Sequence, residues 1–400
     1  MPLLIADLRI FRVLVVLAIT QLIGWGTVSL PAVIGRQLAA DLGMDIAAVF
    51  AGTSVFYIAM GIASPWLAAP FTRHGARRVM MAGTLVAVPG FALLAAAQGP
   101  LVYFAGWVCL GVAGSATLTT AGLIVLNEVA GRNAKSAIGA LMLVTGLSSS
   151  VFWPTTAFLT GLLGWRGTCL VYAAIMPLVC LPLFAFGLPR RKAADATPVH
   201  GIAASAPPPA PSRSTFYLLL TTLGLYVFVT FGMGALLIEL FKAEGLSATE
   251  AISFGSMLGV IQVAARAIDF LGGGRWDGIT TAFVAGLALP ISMLLLMSIG
   301  GATWTVALFM LLYGMGSGAL AVARATMPLI FYDKAEFTRA MSRMALPLNI
   351  LSAVSAPILV ALLTRFGSNA LLGLALFCSC AALAILVLLG RRRPRAVAAA

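Results

Sequence analysis

Apolar residues run along this chain in blocks of about 20, with polar and charged residues gathered in short gaps between them. Reading the blocks as helices predicts twelve membrane crossings. They fall over residues 11–34, 47–71, 78–97, 101–126, 137–162, 168–187, 215–238, 250–271, 279–299, 302–328, 340–363 and 369–390. The first block is too long for the apolar region of a signal peptide, has no small-residue cleavage site and leads straight into a polytopic pattern. It is therefore expected to remain as span 1, in an all-α membrane protein.

Composition removes the soluble alternatives. Hydrophobic residues make up 61% and charged residues 9% of the chain, against about 45–50% and about 25% in soluble domains. The formal charge of +13 would suit nucleic acid in a soluble protein. Here the basic residues sit in short runs between apolar blocks, so a lipid bilayer and not a nucleic acid is the expected partner. Cys109, Cys169, Cys180, Cys378 and Cys380 all lie inside apolar blocks, with neither metal-ligand spacing nor a disulfide framework.

The charges also orient the chain. With a cytoplasmic N-terminus, nineteen Lys and Arg fall inside, among them Arg73, Arg77, Arg78, Lys135, Arg190, Arg191, Lys192 and Arg391, while Arg36, Arg166, Lys242 and Arg365 stay outside. This bias predicts both termini in the cytoplasm. One long polar stretch, 189–214, carries Pro189-Arg190-Arg191-Lys192 and the run Ala206 to Pro211; it reads as a flexible linker. It divides the chain into six-span halves, 1–188 and 215–400. The halves repeat each other: a shift of 203 residues places Gly111, Ala116, Leu126 and Ala137 on Gly314, Ala319, Leu329 and Ala340, and a shift of 202 places Gly43 on Gly245 and Arg73 on Arg275. A parallel repeat of two six-helix halves is a transporter architecture.

At this point the chain resembles the major facilitator superfamily over essentially its whole length. The loop Thr72-Arg73-His74-Gly75-Ala76-Arg77-Arg78 resembles that superfamily's cytoplasmic signature loop. Thr72 replaces the usual acid, and Ala68 stands where a glycine is usual. The resemblance implies gating roles for Arg73, Gly75, Arg77 and Arg78; the alternative is a basic loop that only sets topology. Span 5 reads Gly146-Leu-Ser-Ser-Ser-Val-Phe-Trp153-Pro154 and lacks the Gly-Pro motif of drug–proton antiporters. The stretch Gln37 to Gly43 is similar to bacterial monocarboxylate-transporter-like proteins. Val260-Ile-Gln262-Val-Ala-Ala-Arg266 keeps that family's arginine while Gln262 replaces its aspartate, and no lysine accompanies Pro31 in span 1.

A charge inside a bilayer costs about 2.5–3.5 kcal/mol at a helix centre, so each deep one needs a reason. Arg266 can hold a carboxylate through two parallel hydrogen bonds and keeps its charge at all relevant pH. The alternative is an internal ion pair with Asp269, three residues on. Asp269 is the candidate proton carrier, or else a partner of Arg266 or Arg275. Glu239 ends span 7, and Glu128 lies four residues before Arg132, where an intrahelical pair is expected.

In the superfamily fold spans 1, 4, 7 and 10 would line the pathway. They offer Gln21 and Trp25; Thr117, Thr119 and Thr120; Tyr226 and Thr230; Tyr313 and Ser317. Spans 5 and 11 add Trp153 and Asn349. Trp25 and Trp153 lie mid-span, away from the interfaces that tryptophan favours, which suits stacking or gating as well as helix packing. Glycines such as Gly111, Gly114, Gly314, Gly316 and Gly318 are expected at close helix approaches. Arg324 and Arg343 flank the last cytoplasmic loop and read as gate or topology residues. His74 and His200 lie in loops and suggest no metal. The chain carries no phosphate-binding Gly-x-x-x-x-Gly-Lys loop, which argues against ATP-driven transport, and no cofactor is expected.

The resemblance implies a secondary transporter of the inner membrane, usually monomeric, moving a small solute by alternating access. An organic anion is favoured because of Arg266. The alternative is a flat heteroaromatic solute such as riboflavin, carried by Trp25, Trp153, Tyr226 and Tyr313. Drug efflux or a membrane sensor ranks lower, and no enzyme site is visible in the spans.

Overall fold

The computed structural model describes residues 7–189, 213–272 and 277–392. Most of the expected linker (190–212, with His200), Arg275 and the tail from Arg393 onward lie outside these residues. So does the side chain of Arg132, the expected partner of Glu128. Every regular element described is a helix. Among the described residues, ten continuous apolar stretches are long enough to cross a membrane. Two of them, Ala134–Gly187 and Glu336–Arg391, run to 54 and 56 residues. Helices of that length would reach about 80 Å, far beyond a hydrocarbon core of about 30 Å. Each turns back at a glycine with positive φ: Gly164 at 69° and Gly367 at 82°. Each therefore carries two crossings, and the total is the expected twelve.

The internal repeat is visible in the backbone. Gly164 and Gly367 stand 203 residues apart, and Gly43 and Gly245, both with positive φ, stand 202 apart. Two apolar cores match the halves. One is built from residues between Ile10 and Leu188, with Val322, Ala325 and Phe337 added; the other runs from Leu219 to Leu389. Large apolar side chains such as Phe186, Val260 and Phe377 point outward, as a lipid-facing surface requires.

Several spans are longer or more broken than their hydropathy blocks. Span 1 consists of Leu8–Val28 and Leu30–Leu42. Span 4 breaks between Pro100–Thr117 and Thr119–Ala130, because Leu118 leaves the helical region with ψ at −154°. Span 5 breaks between Thr145 and Ser148. Spans 7, 8 and 10 are Arg213–Ala243, Ala248–Leu271 and Thr303–Thr326; span 11 begins the helix Lys334–Phe366.

Twelve crossings return the chain to the face at which span 1 begins, and there Arg392 Nη1 donates to Ser214 Oγ at 2.6 Å, joining the end of span 12 to the start of span 7. The halves meet along spans 2 and 11, where Ser54 Oγ donates to the Ala353 carbonyl. A Cβ on Gly61 would lie 3.1 Å from the Leu346 carbonyl. Further contacts join Ala134–Thr145 to spans 8 and 10, and Thr119–Ala130 to span 11. All of these last segments belong to the face that carries the termini. At the opposite face Arg365 and Phe366 are exposed, and a separate staple holds the first half together. There Asp41 accepts from Trp165 Nε1 at 2.7 Å and pairs with Arg166 at 3.2 Å, while Arg166 also donates to the Ala97 carbonyl.

Candidate functional site

Two adjoining cavities occupy the centre. The larger, of about 310 Å³, is walled by spans 7, 8 and 10, including Tyr226, Thr230, Phe231, Gln262, Arg266, Ser317 and Arg324. The smaller, of about 70 Å³, lies between the halves and is walled by Trp25, Tyr57, Thr119, Thr120, Met142 and Asn349 among others. Leu223, Phe231, Ala321 and Arg324 border both.

Arg266 and Arg324 therefore face the same space. Both spans run toward the face with the termini, and side chains on a helix tilt toward its N-terminus. A residue near the end of such a span thus reaches back toward the membrane centre. Arg324 does so: its Cζ stands 5.6 Å from the ring centre of Phe231, halfway along span 7. Position along the chain, which suggests a gate or topology residue at Arg324, does not reveal this reach. Arg343, by contrast, is exposed.

Arg266 Nη1 donates to the Met142 carbonyl of span 5 at 3.3 Å, beside the break in that span. Gly146 makes room for it; a Cβ there would lie 2.3 Å from Nη1. Arg266 Nε has no partner among the described residues, and the ion pair with Asp269 is not formed. Asp269 is buried away from both cavities. It accepts from Thr281 Oγ1 at 2.7 Å and lies in the field of Lys135 from span 5. No Asp or Glu lines either cavity among the described residues.

The other expected site residues separate. Gln262 lines the larger cavity and donates to Ser317 Oγ at 3.0 Å. Trp25 lines the smaller one and donates to Thr119 Oγ1 at 3.0 Å. Gln21 lies outside both walls and donates to the Thr117 carbonyl at 2.9 Å. Since Leu118 leaves the helix there, Gln21 and Trp25 together hold the break in span 4. Tyr226 presents its ring, while its hydroxyl rests against Gly286 of span 9. Tyr313 is fully buried outside the cavity, stacked on Phe309 and donating to the Thr230 carbonyl. Trp153 lies outside both cavities and is 49% exposed. Tyr57, which the sequence reading passed over, sits between Trp25 and Phe231 at ring distances of 6.3 and 5.9 Å. In the signature-like loop, Gly75 has φ 76° and joins spans 2 and 3. Thr72 Oγ1 turns back to the Ala68 and Ala69 carbonyls, and Arg73 and Arg78 are exposed.

Comparison with known families settles the broader assignment, since the profile described as Major Facilitator Superfamily matches residues 14–327. The chain belongs to this superfamily. Its members' twelve-helix fold accounts for the repeat, the central cavities and the seam between halves, and the protein is a multi-pass membrane transporter. The chain is 34% identical over 166 residues to human monocarboxylate transporter 11; the match covers 42% of this chain and 32% of that protein. Among solved superfamily structures it is similar to the human organic anion transporter MFSD10 (TETRAN), with a TM-score of 0.76 and 15% identity over 94% of this chain and 99% of that one. It is also similar to a variant of the E. coli fucose:proton symporter FucP, with a TM-score of 0.73 and 11% identity over 95% and 99%. At these identities the structural likeness concerns the fold.

Proposed function

We propose that this transporter carries a small organic anion across the inner membrane by alternating access, with both termini in the cytoplasm. One observation carries the reading: Arg266 and Arg324 line a single cavity that no described carboxylate shares. A guanidinium left without a counter-ion in a low-dielectric site attracts an anion strongly and offers paired donors to a carboxylate. Gln262 and Thr230 add neutral polar groups, and Phe231 and Tyr226 give an apolar wall for the carbon skeleton. Monocarboxylate transporter 11 and the organic anion transporter MFSD10, both carriers of anions by name, agree with this class. Asp269, away from the cavities, takes the role of a latch residue at the seam. Arg73, Gly75, Arg77 and Arg78 form the turn between spans 2 and 3 that moves with the first half. The heteroaromatic alternative is left with Trp25, Tyr57 and Phe231 around a much smaller cavity.

The test is ligand stabilisation of the purified protein in detergent, comparing acetate, succinate, neutral succinamide and riboflavin. A ligand at a hundred times its dissociation constant stabilises by about 2.7 kcal/mol. Stabilisation by carboxylates and none by succinamide is expected. Stabilisation by riboflavin alone would transfer the site to the aromatic reading.

A further inference from the structure

We propose that the carrier works as an anion exchanger: its site passes between the two faces readily only when an anion occupies it. This rests on the organic-anion reading above and extends it to the empty site.

An arginine cannot shed its charge by losing a proton in a protein. A carrier that resets empty must neutralise such a charge with a group of its own or bury it bare. Arg266 and Arg324 have no such group: no Asp or Glu lines either cavity among the described residues. The deep acid on the same span, Asp269, is engaged by Thr281 and faces Lys135 at the seam. Asp277 caps the start of span 9 through Thr280. The polar neighbours that remain, Gln262, Ser317 and Thr230, are neutral dipoles.

The position of the two arginines makes the cost fall on the reset. Arg324 borders both cavities, so it lies where the halves part. Arg266 spends a hydrogen bond across the seam, on the Met142 carbonyl. Opening the transporter at the end near the termini breaks that bond and leaves Arg266 without its cross-seam acceptor. An empty site passing through the occluded state carries two bare charges. A loaded site carries an ion cluster whose charges cancel. Exchange of one anion for another is therefore fast, and net movement is slow.

The experiment reconstitutes the full chain in liposomes, with potassium and valinomycin present so that no membrane potential limits net flux. Labelled lactate, oxalate, succinate and phosphate are offered separately to vesicles that are empty or preloaded with the same unlabelled anion. At least one anion is expected to enter preloaded vesicles roughly tenfold faster or more, the scale set by moving an unneutralised charge through the membrane interior. Equal rates into both vesicle types would overturn exchange while leaving the anion reading intact. Absence of uptake of any of these anions, together with absence of stabilisation, would remove the anion reading and exchange with it.

A second variant adds what the site lacks. Gln262→Asp places a carboxylate one helical turn before Arg266, on the cavity wall. It is expected to raise uptake into empty vesicles and reduce the preloaded-to-empty ratio severalfold. An unchanged ratio in a variant that still transports would overturn the proposal.

Discussion

Arg266 reaches from span 8 across the seam to the carbonyl oxygen of Met142 in span 5, 3.3 Å away, and it does so through the space left by Gly146. The same guanidinium lines the larger cavity. One side chain thus belongs both to the contact that closes the transporter near its termini and to the site that receives the solute.

Gly146→Ala tests this double role. Its Cβ would lie 2.3 Å from Arg266 Nη1, so the guanidinium or the helices must shift. Overpacking of this kind costs about 1–3 kcal/mol, and the melting temperature in detergent is expected to fall with anion affinity. Gly139→Ala, on the same helix segment, meets only Phe270 at 3.6 Å. It is expected to leave affinity unchanged and to hold or raise stability, as a helical Gly-to-Ala change does by up to about 1 kcal/mol.

Arg324→Met should separate stability from function. Arg324 makes no hydrogen bond or ion pair among the described residues, and its guanidinium lies over the ring of Phe231. Replacing buried charge by well-packed apolar volume is often neutral or stabilising, by about 1–4 kcal/mol for an ion pair or triad. The ligand-free variant is expected to melt higher than wild type, and anion-induced stabilisation is expected to vanish. A lower melting temperature with anion stabilisation retained would contradict the placement of Arg324 in the site.

The two mid-span tryptophans should behave differently. Trp25 walls the smaller cavity and holds Thr119 at the break in span 4. Trp25→Ala is expected to lower uptake and to cost less than the about 3–5 kcal/mol of a fully buried aromatic, since Trp25 is only partly buried. Trp153 is half exposed outside both cavities, and Trp153→Ala is expected to leave the KM for uptake unchanged.

Asp41 gathers Trp165 and Arg166 at the face opposite the termini. Asp41→Ala removes a charge-assisted bond from the buried Trp165 indole to a half-exposed carboxylate, a loss of about 1.5–3 kcal/mol at most for such bonds and less where water competes. Reduced thermal stability with unchanged anion affinity is the expected result. Asp41→Asn keeps an acceptor for Trp165 and is expected to recover part of the loss.

The twelve crossings were legible because apolar length is dictated by bilayer thickness, and spans such as Gly278–Ile299 fall where the hydropathy places them. The breaks at Leu118 and Gly146 were not, because a helix that stays apolar across a kink shows no change in hydropathy. Arg266 and Gln262 were legible as polar residues deep in span 8. The depth of Arg324 was not legible, because its Cα lies near a helix end while its side chain points back toward the centre. Tyr313 was grouped with the cavity residues by span membership alone; helix rotation, which turns it toward Thr230 and Phe309, depends on packing between spans. Tyr57 was passed over because span 2 was not among the presumed lining helices.

The most direct test of the central claim is a double-mutant cycle on Arg266→Gln and Arg324→Gln, read by calorimetric titration with the best-binding carboxylate. Each single change is expected to weaken binding by about 1.5–3 kcal/mol, the range for hydrogen bonds to charged groups. The double variant is expected to lose clearly less than the two losses combined, because both arginines hold one anion. Strictly additive losses, or binding that survives both substitutions, would contradict a shared two-arginine site.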